Sequence, residues 1–299
     1  MSHKRFENRK LQTLVHSGIT LASMGLILGG LGWMAAGAAG SKLAVITAIL
    51  WFWLTPQLPP RLVMGALGAR PVHPRLRPDL YRILYRLARR AGLNHVPTLY
   101  LMPLAAPNAF ASGTRQDSGI CISSGLLKIL DSHEMEGILG HEIAHIRNND
   151  ILVMGAAAVF GRLIHYLSLA GQVIMVLCLP LMILGVMNAP LWPFLFLVLA
   201  PTLSLYLHLA LSRVREYNAD LDSAALTGHP GALASALAKI RAFQKKHTMG
   251  RLKRPAGTML NTHPPTENRI GQLLALTAAP RKSSKPMPNA LFLARSKVP

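Results

Sequence analysis

The sequence predicts a mainly α membrane protein, with about four transmembrane helices and an α+β domain with a small sheet on one side of the membrane. Three observations carry that prediction. Of the 299 residues, 51% are hydrophobic and only 15% are charged, whereas soluble domains average about 25% charged. The charge is lopsided, with 32 Lys and Arg against 12 Asp and Glu, a formal net charge of +20. The uncharged residues are gathered into long runs. The hydrophobic share excludes intrinsic disorder, and so charge-poor a chain argues against a single soluble globular domain. Two cysteines, Cys121 and Cys178, make no disulfide framework and suit a reducing compartment.

The first run is 31 uncharged residues between Lys10 and Lys42, and the second is 18 between Lys42 and Arg61. They read as helices over 14–39 and 43–58, an N-terminal membrane hairpin within 1–60. The first run far exceeds the 7–15 residues of a signal-peptide core, and a second follows at once, so an uncleaved hairpin fits better. Between Arg162 and Arg213 lie fifty consecutive uncharged residues, enough for two crossings of about 20 residues each. Met187-Asn188-Ala189-Pro190 is the natural turn, giving helices over 163–186 and 191–211 in a second hairpin, 161–212.

The basic residues then orient the chain. Four precede the first helix, eight lie between Arg61 and Arg90, and thirteen lie from Lys239 onward, while the two turns hold only Lys42. The excess of Lys and Arg marks the cytoplasmic side of the inner (plasma) membrane, where both termini and the segments 61–160 and 213–277 would form one body. Topology accounts for the charge, so the expected partner is a bilayer with anionic headgroups and not nucleic acid. Within the body, Pro78-Asp79 opens a helix with Leu80, Ile83, Leu84 and Leu87 at helical spacing, closed by Gly92 and Asn94. VPTLYLM and SGICIS read as short strands. Residues 278–299, with five basic residues and four prolines, read as a loosely ordered tail.

The sharpest motif is His141-Glu142-Ile143-Ala144-His145, inside DSHEMEGILGHEIAHIRNND. That stretch reads as one helix, with Asp131 and Glu134 as a capping box. Two histidines four apart share a helix face and can reach one Zn²⁺, and Glu142 can take a proton from water bound there. A catalytic zinc wants a third protein ligand. Carboxylates are scarce, yet five of the twelve fall in 131–150 and three in 216–222. Glu216 and Asp220 are one helical turn apart, so Glu216 can bind the metal while Asp220 accepts a hydrogen bond from the non-ligating nitrogen of a histidine. The alternative is an exposed helix face beside Arg213 and Arg215.

With these residues in view, the sequence resembles the HtpX-like membrane zinc metalloproteases, relatives of the CAAX prenyl proteases. Four co-linear motifs carry the resemblance: His145-Ile146-Arg147-Asn148-Asn149-Asp150 after HExxH, Ser212–Asp220, Asn108-Ala109-Phe110, and Thr262-His263-Pro264-Pro265 with Arg269. It implies a zincin-like catalytic domain in the cytoplasm, with one Zn²⁺ held by His141, His145 and Glu216. It also implies Glu142 as general base and acid, Asp220 as the residue orienting a histidine ligand, and His263 and Arg269 as donors to the oxyanion. For those last two a structural role stays open. It further implies cleavage of unfolded or misfolded proteins in membrane quality control. Maturation of one defined substrate, or an inactive scaffold, are the alternatives.

Substrate contacts are expected from Asn108, Ala109 and Phe110, and from a strand at Gly119, Ile120 and Cys121 offering an exposed edge to an extended peptide. The alternative for that strand is an ordinary buried one. A lone cysteine such as Cys121 in an apolar strand is more often core than ligand.

Overall fold

The computed structural model describes residues 3–54, 59–187, 190–248 and 267–278. The elements in order are α1 (His3–Leu54), α2 (Pro60–Ala66), β1 (Arg70–Pro71), α3 (Pro78–Ala91), β2 (Thr98–Met102), β3 (Ala109–Gly113), β4 (Ser118–Ser123), α4 (Ser124–Ile129), α5 (Ser132–Arg147), α6 (Asp150–Ile183), α7 (Leu191–Thr227), α8 (Pro230–Thr248) and α9 (Glu267–Ala278).

Three helices among the described residues are long and apolar enough to cross a membrane: Leu11–Leu54, Asp150–Ile183 and Trp192–Thr227. The first is folded back on itself. Ala36 (φ −151°, ψ 33°) and Gly37 (φ 57°, ψ −145°) leave helical geometry, and the Gly37 conformation is one that a Cβ would strain. A Cβ placed on Gly29 would lie 3.8 Å from Val45 Cγ2, and one on Gly32 would lie 2.5 Å from the Gly40 carbonyl oxygen. In one straight helix Gly29 and Val45 would stand about 24 Å apart. The two arms are therefore antiparallel, and small residues let them touch. Met24, Leu28 and Leu31 from one arm and Ala48 from the other meet Ala157 and Ile164 of α6 and Leu197 and Ala200 of α7.

The polar body is built around α5. Asp131 caps it, its side chain accepting from the His133 and Glu134 amides while Glu134 reaches back to the Asp131 amide. Nearly every residue from Glu134 to Ile146 is buried. Leu84 and Leu87 of α3, Leu99 of β2, Ile120 and Ile122 of β4, and Leu233 and Leu237 of α8 surround Leu139 and Ile143 of α5. Gly137 and Gly140 bring neighbouring helices close. A Cβ on Gly137 would lie 2.9 Å from the Leu233 backbone nitrogen of α8, and one on Gly140 2.9 Å from Ser223 Oγ of α7. Ser223 also donates to the Gly137 carbonyl at 2.8 Å. That seam sets α7 alongside α5.

The sheet runs β1-β2-β4-β3, with β2 parallel to β4 and the outer pairs antiparallel. This corrects the expectation for Gly119, Ile120 and Cys121. They lie in β4, which is paired on both sides and buried throughout, so it has no edge to offer. The edge is β3. Alternation explains the rest, because successive side chains on a strand face opposite sides. Ile120 faces α5, while Phe110 and Cys121 pack with Tyr100 and Met64 on the other face.

Two boundaries also differ from the sequence reading. The helix read through Asp150 ends at Arg147, because Asn149 adopts left-handed geometry (φ 54°), which asparagine tolerates better than most residues. Asp150 then begins α6. At 34 and 37 residues, α6 and α7 are about 50 and 55 Å long, well beyond a hydrocarbon core of about 30 Å. Each therefore runs without a break from the apolar bundle into the body, across the boundaries read at 160/161 and 212/213.

Candidate metal centre

The HExxH segment lies on α5, which puts His141 and His145 on one face, their ring centroids 4.6 Å apart. Glu216 approaches from α7. Ligand atoms of His141, His145 and Glu216 all lie within 4.8 Å of one another, and all three residues are buried. His141 Nε2 is 3.5 Å and His145 Nε2 3.6 Å from the Glu216 carboxylate.

The other face of each imidazole is committed. His141 Nδ1 lies 2.9 Å from Asp220 Oδ1, and His145 Nδ1 lies 2.7 Å from Asp150 Oδ2. An imidazole that donates from Nδ1 to a carboxylate offers its Nε2 lone pair. Two such lone pairs 3.1 Å apart, beside a carboxylate, suit a bound cation. Two imidazoles and a carboxylate also form a donor set that zinc accepts. Burial lowers the His141 pKa, but the hydrogen bonds to Asp220 and Glu216 outweigh it and push it up to about 10.

The carboxylates are held in turn by arginines. Arg269 donates from Nε and Nη2 to Asp220, both at 2.7 Å, and its Nη1 forms an ion pair with the Glu216 carboxylate at 2.7 Å. Arg215 of α7 donates to Asp150. Both guanidinium groups are buried at 3% exposure, where a planar fork spanning two acceptors is worth most. Of the residues nominated from sequence, Arg269 thus sits on two acids beside the ligands. His263 lies outside the described residues. Asp150 was not nominated; the HIxNxD continuation that carries it was the available signal, and reading α5 through it concealed its role. Arg215 had the same fate inside the Ser212–Asp220 block.

Glu142 is 2% exposed and shares a cleft with His141, Asn108, Ala109 and Arg269. Asn108 and Ala109 stand at the start of β3, the edge strand. The Asn108 backbone is fixed by Ser123, whose amide donates to the Asn108 carbonyl and whose hydroxyl accepts from the Asn108 amide, both at 2.9 Å. Its side-chain Nδ2 is buried with no hydrogen-bond partner among the described residues. Cys121 takes no part, since burial pushes its thiol up to about 12, leaving it inert at neutral pH.

Comparison with known proteins agrees with this geometry. The model of Peptidase family M48 matches residues 74–277. The chain is 33% identical over 279 residues to a protein named Protease HtpX homolog from Acaryochloris marina, covering 87% of this chain and 90% of that one. It is 31% identical over 284 residues to the protein of that name from Bifidobacterium longum, covering 82% and 86%. It is 35% identical over 241 residues to the one from Arthrobacter sp., covering 74% and 80%. A match over most of the body, relatives that span most of the chain, and apolar helices feeding a His-His-Glu cluster agree: the chain belongs to peptidase family M48, as a membrane metalloprotease of the HtpX-like kind.

Proposed function

We propose that the protein is an integral membrane zinc-dependent endopeptidase that cleaves unfolded or misfolded proteins, membrane proteins among them, at the cytoplasmic face. The observation that supports this most is the convergence of His141, His145 and Glu216 beside Glu142, in a cleft bordered by an open strand edge. His141, His145 and Glu216 would supply the three protein ligands of a catalytic zinc. When bound, zinc lowers the pKa of water toward about 7 and polarises a carbonyl oxygen. Glu142 takes the proton from the attacking water and passes it to the leaving amine as the peptide C–N bond breaks. Asp220 and Asp150 hold the two imidazoles in the tautomer that presents Nε2, and Arg269 keeps Asp220 and Glu216 in place. An extended peptide adds along β3 beside Ala109, and the Asn108 side-chain Nδ2 and His263 supply donors to its carbonyl. Backbone pairing of that kind tolerates many side chains, which suits unfolded substrates.

The two arms of α1, with α6 and α7, give four crossings of the inner membrane, both termini and the metal centre being cytoplasmic with the Lys and Arg excess. Replacing Glu142 tests the reading. Glu142→Gln should keep one zinc per chain and cleave casein about 10²–10⁴-fold more slowly. Undiminished cleavage by that variant would overturn it.

A further inference from the structure

α1 lies outside the residues that the family model matches, and a membrane anchor needs no polar link to a metal centre. Ser17 of α1 nevertheless has one. It is 4% exposed, its hydroxyl donates to the Thr13 carbonyl at 2.7 Å, and its oxygen accepts from Arg215 Nη2 at 2.6 Å. Arg215 donates from Nη1 to Asp150 Oδ1. Asp150 accepts from His145 Nδ1 with its other oxygen. His145 Nε2 faces the metal position. One residue each from α1, α7, α6 and α5 therefore forms a continuous buried chain.

We propose that Ser17 and Arg215 are positioning residues for the metal centre, so that the first membrane helix sets the orientation of a metal ligand. This rests on the reading that His141, His145 and Glu216 hold zinc. A guanidinium is flat, and its two terminal nitrogens point in fixed directions. With one nitrogen tied to Ser17, the other can meet Asp150 from a single direction. Asp150 bridges Arg215 and His145 with separate oxygens, so fixing its plane fixes the imidazole ring behind it. The hydroxyl of Ser17 has both its donor and its acceptor roles filled and cannot turn away. Arg215 also supplies the opposite charge beside Asp150, which is 2% exposed. A second contact separates this from ordinary helix docking. Asn218 Nδ2 donates to Thr13 Oγ1 at 2.7 Å, joining the same two helices one turn away through the Thr13 hydroxyl, whereas Ser17 uses the Thr13 backbone carbonyl, which an alanine keeps.

The test compares the full-length protein in detergent with Ser17→Ala, Ser17→Thr, Arg215→Lys and Thr13→Ala, reading zinc Kd by chelator competition and the visible spectrum of the cobalt-loaded form. Losing an outer hydrogen-bond partner of a metal ligand weakens binding about 10–100-fold. Accordingly Arg215→Lys should weaken zinc about ten-fold and Ser17→Ala, one bond further out, about three-fold. Both should shift the cobalt spectrum, Ser17→Thr should restore it, and Thr13→Ala should match the wild type in both readouts. Unchanged Kd and spectrum in Ser17→Ala and Arg215→Lys would overturn the proposal, as would Thr13→Ala changing as much as Ser17→Ala. Wild-type protein that takes up no zinc would overturn the metal reading itself, and is measured before any variant.

Discussion

The two ends of α7 sit in opposite surroundings. Over residues 192–211 the helix carries no charge and exposes Trp192, Leu195 and Tyr206, all more than half open. A few turns on, Arg215, Glu216 and Asp220 are all under 10% exposed. Apolar side chains outside and charges inside invert the usual rule, and each half has its own reason. Lipid solvates the outer half. In the inner half every buried charge meets an opposite partner: Arg215 with Asp150, and Arg269 with Glu216 and Asp220. α6 repeats the pattern, with Asp150 buried at its first turn and Leu177 exposed further along. The lesson is that the membrane helices are not tethers on a separate enzyme, since their inner turns carry a proposed ligand and the acids that hold the histidines.

The comparison can be broken at the charged end first. Arg269→Met leaves Asp220 and Glu216 without their shared partner, and breaking a buried pair costs about 3–5 kcal/mol. The metal-free protein should show this as a lower thermal transition in detergent, with zinc restoring part of it. Next, the same change made at the two kinds of surface sharpens the contrast. Leu139→Ala, in the α5 core, should cost about 2–5 kcal/mol, whereas Leu177→Ala, 72% exposed, should stay within about 0.5 kcal/mol. Equal losses would mean that Leu177 is covered by protein.

Gly137→Ala tests the seam that brings α7 and α8 onto α5. The new methyl meets Leu233 backbone atoms, and overpacking of that kind costs about 1–3 kcal/mol, read in the same melts. The smallest effect is on pH. The raised His141 pKa, up to about 10, contributes stability to the metal-free protein that is full below about pH 6.5 and lost as pH rises to about 10. Zinc must displace that proton, so its apparent affinity should rise as pH increases over the same window. Isothermal titration in two buffers of different ionisation enthalpy would register the released proton.

Much of this was legible in the sequence. The HExxH spacing puts two imidazoles on one face of α5, and Glu216 and Asp220, one turn apart, put the proposed ligand and a carboxylate beside His141 on one face of α7. The uncharged runs marked the apolar helices. What stayed hidden depends on contacts that no local pattern encodes. Asp150 reads as the end of one helix unless Asn149 is known to be left-handed. The Arg269 acceptors lie 49 or more residues back along the chain. β3, Ala-Phe-Ala-Ser-Gly, has little β-branched or aromatic character, while β4 looks like a strand. The sequence pattern therefore points to β4 as the edge, whereas its parallel pairing with β2 and antiparallel pairing with β3 place it inside the sheet. Gly137 and Gly140 read as weak points of a helix until α8 and α7 are seen lying against them.

In the proposed function α5 and α7 jointly hold one metal ion. Zinc content of the purified chain measures it directly, in the wild type and in Glu216→Ala. One zinc per wild-type chain is expected and, at the same free zinc, a Kd in the variant raised beyond the about 10–100-fold that an outer partner costs. A variant that binds zinc as tightly as the wild type would contradict it.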